Sequence, residues 1–236
     1  MRPRLVGPLR IVYTPRFVRL ESVALRVAYA GLLAVAALAL AWGCAAPQVG
    51  MARGKAIFEN CQPCHGPHGQ GDLALRTPAI AGLPDWYVRA ELAKFKGSIR
   101  GAHPDDNEGH RMRPMARALY RQGDIESVAE YVSKLPSVSV KPMLAGGDAA
   151  AGQTQYMAIC VACHGADAKG NQAMNAPPLA NQADWYLVSQ LKKFKTGMRG
   201  AHPEDVSGSQ MRAMSSTLTD TTAMHNVVAY IKTLSP

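Results

Sequence analysis

Apolar residues recur every three or four positions in several stretches of this chain, which is the spacing of a helix with one buried face. The pattern predicts helices over residues 52–64 and 85–96 in the first half, and over 150–163 and 184–195 in the second. A further helix closes each half, with one apolar face formed by Ile125, Val128, Ala129 and Val132, and by Met224, Val227, Val228 and Ile231. No alternation of apolar and polar residues indicates a strand, so the sequence predicts an all-α fold.

The second half of the chain repeats the first at an offset of 99 residues, from Cys61 to Cys160. Asp85-Trp86-Tyr87 recurs as Asp184-Trp185-Tyr186, and each aspartate is expected to cap the helix that it begins. A repeat of this length has the size of a domain rather than of a solenoid unit. The chain is therefore predicted to be a tandem duplication of one domain.

The predicted boundaries of the two domains are residues 47–136 and 147–236. The linker between them, residues 137–146, contains a proline and a glycine, which interrupt helices and favour turns. Each domain has about 90 residues, which is small for a stable hydrophobic core. A bound apolar group is therefore expected to complete each core together with the side chains.

Each half contains the pentapeptide C-x-x-C-H, once at residues 61–65 and once at 160–164. This motif attaches c-type haem, because two thiols bond to the porphyrin and the adjoining imidazole binds the iron. The sequence therefore predicts two covalently bound haem c groups. The attaching residues are the cysteines Cys61, Cys64, Cys160 and Cys163, and the proximal iron ligands are His65 and His164.

Paired cysteines also occur in thioredoxin-type redox sites and in zinc sites. A thioredoxin-type redox pair requires a neighbouring β-α-β pattern, which the sequence lacks. A zinc site requires two cysteine pairs close together, whereas 99 residues separate these two. Neither alternative explains why a histidine follows each pair directly, so haem attachment is favoured.

Residues 1–46 are predicted to be a signal peptide or a membrane anchor. Six arginines and one acid precede an uncharged run of alanine, leucine and valine from Val27 to Ala46. The remaining cysteine, Cys44, ends that run and is a candidate for lipid attachment, with cleavage at a nearby alanine as the alternative. A run of about 20 apolar residues is also long enough to stay in a membrane. Export to the periplasm, with or without a membrane tether, is expected, because haem is joined to such motifs outside the cytoplasm.

The formal net charge of +9 comes largely from this leader. Without its six arginines and one glutamate the chain retains about +4. No interleaving of aromatic and basic residues accompanies that charge, so binding to nucleic acid is not expected.

The sixth iron ligand has several candidates. Each repeat offers two methionines downstream of its motif, Met112 with Met115 and Met211 with Met214. A histidine in each repeat, His103 and His202, would give bis-histidine ligation, although each lies in a Gly-Ala-His-Pro corner. A thioether ligand raises the reduction potential and an imidazole lowers it, so this choice bears directly on function. Methionine is favoured.

The chain resembles the diheme cytochromes c of the cytochrome c4 type, and more broadly class I cytochromes c. The resemblance covers both repeats and rests on the residues around Cys160, on Pro-Pro-Leu-Ala at 177–180 and on the segments that follow Tyr186 and Met211. It implies a small helical fold around each covalent haem. It also implies that the ligand methionine lies seven residues before a helix-opening leucine, which selects Met112 and Met211. By the same resemblance, Pro78 and Pro177 offer carbonyl groups to the proximal histidines.

The function implied by this resemblance is electron transport in an exported respiratory chain. Electrons would arrive from a quinol-oxidising complex or a dehydrogenase and leave to a terminal oxidase or reductase. An alternative is an electron-accepting subunit of a dehydrogenase complex. A diheme peroxidase or thiosulfate-oxidising enzyme is less favoured, because an enzyme needs an iron with an exchangeable or unusual ligand and both repeats supply methionines equally. No catalytic residue is therefore assigned.

Overall fold

A computed structural model describes residues 17–45, 49–138 and 140–234, and side chains in the first range only for 23–37. The chain forms two compact units, residues 1–47 and 48–236. The first contains α1, Phe17–Ala45. Four of the six arginines at its basic start (Arg2, Arg4, Arg10 and Arg16) lie outside the described residues, and so does the side chain of Cys44. No helix in the described part of the chain is both long and apolar enough to cross a membrane.

The second unit is helical. Among the described residues, its β-structure consists of two isolated antiparallel bridges. Its first repeat contains α2 (Met51–Phe58), α3 (Gln62–His65), α4 (Asp85–Lys96), α5 (Asn107–Arg117) and α6 (Asp124–Lys134). Its second contains α7 (Ala149–Gln155), α8 (Val161–His164), α9 (Asp184–Lys195), α10 (Val206–Ser216) and α11 (Thr221–Thr233), with a π-helical turn at Tyr156–Cys160 and a 3-10 turn at Gln172–Met174. The prediction of an all-α fold is confirmed.

The first and last helices of each repeat cross at a glycine. A β-carbon on Gly54 would lie 2.1 Å from the carbonyl oxygen of Ser127, and one on Gly152 would lie 1.9 Å from that of Asn226. Any larger residue would force the helices apart, so α2 packs on α6, and α7 on α11, through backbone contact. This crossing brings the segment before each cysteine motif against the closing helix of the same repeat.

The π-helical turn explains the different lengths of the two repeats before their cysteines. The second copy has one more residue between Gly152 and Cys160 than the first has between Gly54 and Cys61. A π-turn takes up one extra residue without breaking the helix. As a result, Phe58 and Tyr156 are both fully buried and each packs against a tyrosine of the closing helix, with ring centroids 5.3 and 5.4 Å apart.

Asp85 and Asp184 are the first residues of their helices, and the residues that precede them make no side-chain cap. The expectation that the aspartate caps its helix is wrong for Asp85, whereas Oδ1 of Asp184 does accept a hydrogen bond from the backbone N–H of Trp185 at 2.7 Å. The other oxygen of this buried carboxylate accepts hydrogen bonds from the backbone N–H groups of Met143 and Leu144, at 2.5 and 2.6 Å. Asp184 therefore attaches the segment between the repeats to the second repeat.

Helices α5 and α10 were not predicted, although they carry the candidate methionines. Each begins after an aspartate, Asp106 or Asp205, whose side chain accepts a hydrogen bond from the N–H group three residues later at 3.0 Å. Both caps are almost fully buried. Because each aspartate also contacts the other repeat, the start of the methionine helix is fixed from two sides.

Candidate functional site

The two histidines of the C-x-x-C-H motifs end α3 and α8 and are buried. His65 Nδ1 lies 2.9 Å from the carbonyl oxygen of Pro78, and His164 Nδ1 lies 2.9 Å from that of Pro177. A carbonyl can only accept, so each ring donates its proton from Nδ1 and leaves the lone pair of Nε2 available. The expected hydrogen bonds to the proline carbonyls are confirmed, and they hold each imidazole in the orientation and tautomer that an iron ligand needs.

Burial keeps both imidazoles neutral. It lowers the pKa of His65 and of His164, and this effect exceeds the opposing one of the hydrogen bonds to the proline carbonyls. A metal binds the neutral form of histidine, so the environment favours ligation at neutral pH. None of the described residues donates to Nε2 of either ring.

The cysteines that precede these histidines are free thiols on the same turn. Burial, and secondarily the neighbouring cysteine of the same motif, raises the pKa of Cys61 and of Cys160 to about 11. A reactive thiol of the thioredoxin type has a lowered pKa, so this environment speaks against that alternative. Two thiols and one available imidazole nitrogen on one turn are the donor set that covalent haem requires, and the residues present fit the group.

The candidate sixth ligands lie on α5 and α10, separate from the cysteine motifs in sequence. Met112 and Met211 are half-buried, whereas Met115 and Met214 are 41% and 42% exposed. His103 and His202 are exposed, and the Nδ1 of each accepts a hydrogen bond from a backbone N–H two residues later at 3.2 Å. Both histidines therefore stabilise the turn in which they lie.

The contacts that join the two repeats were not predicted from the sequence. Lys94 of α4 pairs with Asp205 at 2.7 Å, and its counterpart Lys193 of α9 pairs with Asp106 at 2.5 Å. In addition, the side-chain amide of Gln182 donates to the carbonyl oxygen of Ala79 at 3.0 Å. These bonds join the helix that precedes each methionine to the other repeat. The one available signal was that the lysines and the aspartates both recur at the repeat offset.

At the centre of this interface is a buried carboxylate, Glu91, which forms ion pairs with Arg100 and with Arg199 of the other repeat, the latter at 2.8 Å. Both arginines also donate to the side-chain oxygen of Gln190, the counterpart of Glu91, at 3.1 and 2.9 Å. Burial alone would raise the pKa of Glu91, but Arg199, Arg100 and then Lys94 lower it to about 2. The two arginines therefore make a structural contact between the repeats.

Comparison with known proteins agrees with this architecture. The model of the cytochrome c family matches residues 51–136 and again 149–235. A thiosulfate dehydrogenase electron acceptor from Thiomonas intermedia is 32% identical over 188 residues, which cover 76% of this chain and 78% of that protein. The cbb3-type cytochrome c oxidase subunit FixP from Bradyrhizobium diazoefficiens is 31% identical over 179 residues, 69% of this chain but 58% of its own length.

A solved structure also matches. Cytochrome c4 from Acidithiobacillus ferrooxidans is 28% identical with a TM-score of 0.59, over 74% of this chain and 98% of that one. The family model matches two domains, and each contains a C-x-x-C-H turn whose histidine is hydrogen-bonded to a proline carbonyl. The likeness to this solved structure agrees with both observations. The chain belongs to the cytochrome c family and is a diheme electron carrier of the cytochrome c4 type, with two tandem domains and two covalent haem c groups.

Proposed function

We propose that each haem iron is held between a histidine and a methionine of the same repeat. The ligand sets are Cys61, Cys64, His65 and Met112 in the first repeat, and Cys160, Cys163, His164 and Met211 in the second. The observation that supports this choice is the unequal burial of the methionines on α5 and α10. In both repeats the first methionine is half-buried and the second is about 40% exposed, although the sequences around them differ.

This ligation makes the chain a carrier and not an enzyme. When bound there, haem would supply one-electron chemistry between ferric and ferrous iron. His65 with Met112, and His164 with Met211, would hold the iron without leaving a position for a substrate, and a thioether ligand would favour the ferrous form. The helices that supply the methionines are fixed by Asp106 and Asp205 at the interface between the repeats, which limits movement of each ligand on electron transfer.

The carrier works outside the cytoplasm, with residues 1–46 as the leader, 47–136 and 147–236 as the two haem domains and 137–146 as the linker. Its place is a respiratory chain, between a quinol-oxidising complex or dehydrogenase as the donor and a terminal oxidase or reductase as the acceptor. The similarity to FixP, a subunit of a cbb3-type cytochrome c oxidase, supports the oxidase side of this proposal.

A second candidate role is that of electron acceptor for a dehydrogenase. The relative from Thiomonas intermedia that bears this description supports it, because the match extends over 76% of this chain. Rapid mixing of the oxidised protein with a reduced quinol-oxidising complex or with a reduced dehydrogenase would separate the two roles. Saturable reduction by one donor and slow reduction by the other identifies the partner.

A redox titration of the holoprotein, followed by absorption spectra, tests the ligand assignment. The ferric haem–methionine charge-transfer band should account for two haems, and M112A or M211A should each remove half of it. The matched controls M115A and M214A replace a methionine one turn further along the same helix and should leave the band intact. Loss of the band in a control, or its absence in the unmodified protein, would refute the assignment.

A further inference from the structure

The interface between the repeats contains two related grooves, one beside Trp185 and one beside Trp86. The first, which we call the closed groove, is filled by Arg76. Its guanidinium carbon lies 6.0 Å from the centroid of the Trp185 ring, and its Nε donates to Glu108 at 2.6 Å. The other oxygen of Glu108 accepts from Lys193 at 2.8 Å. The closed groove thus holds an arginine against a tryptophan and a carboxylate.

The groove beside Trp86, which we call the open groove, lacks this filling. At the repeat offset, Arg76 corresponds to Asn175 and Glu108 corresponds to Ser207, so both charged side chains are replaced by short polar ones. A cavity of about 380 Å³ remains, lined by residues of both repeats that include Trp86, Asn175, Glu204, Ser207 and Gln210. None of the haem-attaching cysteines, proximal histidines or candidate methionine ligands lines it.

The charges around the open groove favour a cation. Lys94, the lysine on its wall, is already paired with Asp205 at 2.7 Å and donates to Ser207 at 2.9 Å. The carboxylate of Glu204, by contrast, is exposed and has no ion pair within the described part of the chain. None of the described cations lies over the Trp86 ring, whereas in the closed groove Arg76 covers the corresponding ring, that of Trp185.

The remaining wall of the open groove is mostly apolar, apart from Tyr87 and from Glu91, whose carboxylate is already paired with Arg100 and Arg199. Met174 and Val206 line it and are both exposed. An arginine offers an apolar stem together with a planar cation that stacks on an aromatic ring. Its stem would cover Met174 and Val206, and its guanidinium would reach the ring of Trp86 and the carboxylate of Glu204.

We propose that the open groove binds an arginine side chain presented by a partner protein, in the way that the closed groove binds Arg76. The inference rests on the proposed function only in taking that partner to be the redox protein with which the chain exchanges electrons. The groove is bounded by both haem domains, so an arginine seated there would hold the partner at their junction.

The test is a titration of the reduced, diamagnetic holoprotein with N-acetyl-L-arginine amide, followed by NMR of the tryptophan indole N–H groups. W86F and W185F assign the signals and separate them from that of Trp42. We expect the Trp86 signal to shift saturably while the Trp185 signal stays in place. The uncharged analogue N-acetyl-L-citrulline amide should leave both signals in place. E204Q should weaken binding about twofold to fivefold, as expected for an exposed ion pair.

The closed groove provides a matched control. Replacing Arg76 by Asn and Glu108 by Ser should open it, and the Trp185 signal should then respond to the probe. The reverse pair, N175R with S207E, should fill the open groove and abolish the response of Trp86. Equal responses of the two tryptophans, an equal response to citrulline, or no saturable response in the unmodified protein would each overturn the proposal. Haem content and ligation, measured on the same samples, test the proposed function separately.

Discussion

Replacing Glu91 by Gln removes one charge from the interface between the repeats while keeping the shape of the side chain. The side chain of Glu91 is 10% exposed and lies among Arg100, Arg199 and Lys94. Gln190, its counterpart in the other repeat, accepts hydrogen bonds from both arginines. A glutamine is therefore compatible with this environment, and the substitution isolates the contribution of the negative charge.

The pKa of Glu91 gives the size of that contribution. Burial opposes ionisation, yet Arg199, Arg100 and Lys94 lower the pKa from 4.5 to about 2. That difference corresponds to about 3 kcal/mol of folding free energy. Because the folded-state pKa is depressed, the stabilisation is fully present above pH 4.5 and is lost as the pH falls through 2. At pH 3 it amounts to about 1 kcal/mol.

Urea unfolding of the oxidised holoprotein, followed by circular dichroism at pH 7 and pH 3, measures this effect. We expect E91Q to lower the free energy of unfolding by about 3 kcal/mol at pH 7 and by about 1 kcal/mol at pH 3. The control E130Q removes an exposed glutamate from α6 and should change neither value by more than about 0.5 kcal/mol. An E91Q protein as stable as the unmodified one at pH 7, or a loss of equal size at both pH values, would refute the reasoning.

Two further predictions concern the packing before each cysteine motif. The hydroxyl of Tyr156 donates to the carbonyl oxygen of Gly165 at 2.7 Å. Y156F should therefore lower the free energy of unfolding in urea by about 1 kcal/mol. The control Y131F removes a hydroxyl that makes no hydrogen bond among the described residues, and it should lower that free energy by less. G152A would place a β-carbon 1.9 Å from the carbonyl oxygen of Asn226 and should lower the free energy of unfolding by about 1–3 kcal/mol. The control Q153A replaces an exposed residue on the same helix and should leave that free energy unchanged. Equal effects of a variant and its control would contradict either prediction.

The middle helix of each repeat was predictable to the residue, because its pattern of buried and exposed positions is regular. Helices α4 and α9 span Asp85–Lys96 and Asp184–Lys195, as the sequence indicated. The first helix was less predictable. The sequence showed that the second copy has an extra residue before Cys160, but not that a π-turn absorbs it, because that choice depends on the backbone hydrogen bonds.

The methionine helices were missed for a physical reason. The segment Asn107–Arg117 is strongly polar and contains Pro114 within the helix, so its few apolar residues were not recognised as one face of a helix. The signal that exists is local: Asp106 and Asp205 each precede their helix as caps. These helices owe their placement to charge as much as to burial, since both caps also bind a lysine of the other repeat.

Internal repetition explains why the interface could not be derived from sequence. Lys94 has two equivalent partners in the duplicated chain, Asp106 in its own repeat and Asp205 in the other, and the sequence treats both alike. In the structure the pairs are exchanged, Lys94 with Asp205 and Lys193 with Asp106. A buried charge requires an opposite charge at close range, and only the path of the backbone decides which copy supplies it. The duplication thus provides charges that are satisfied when the two copies pack together, which is why loss of the Glu91 charge should act on the interface and not on either haem domain alone.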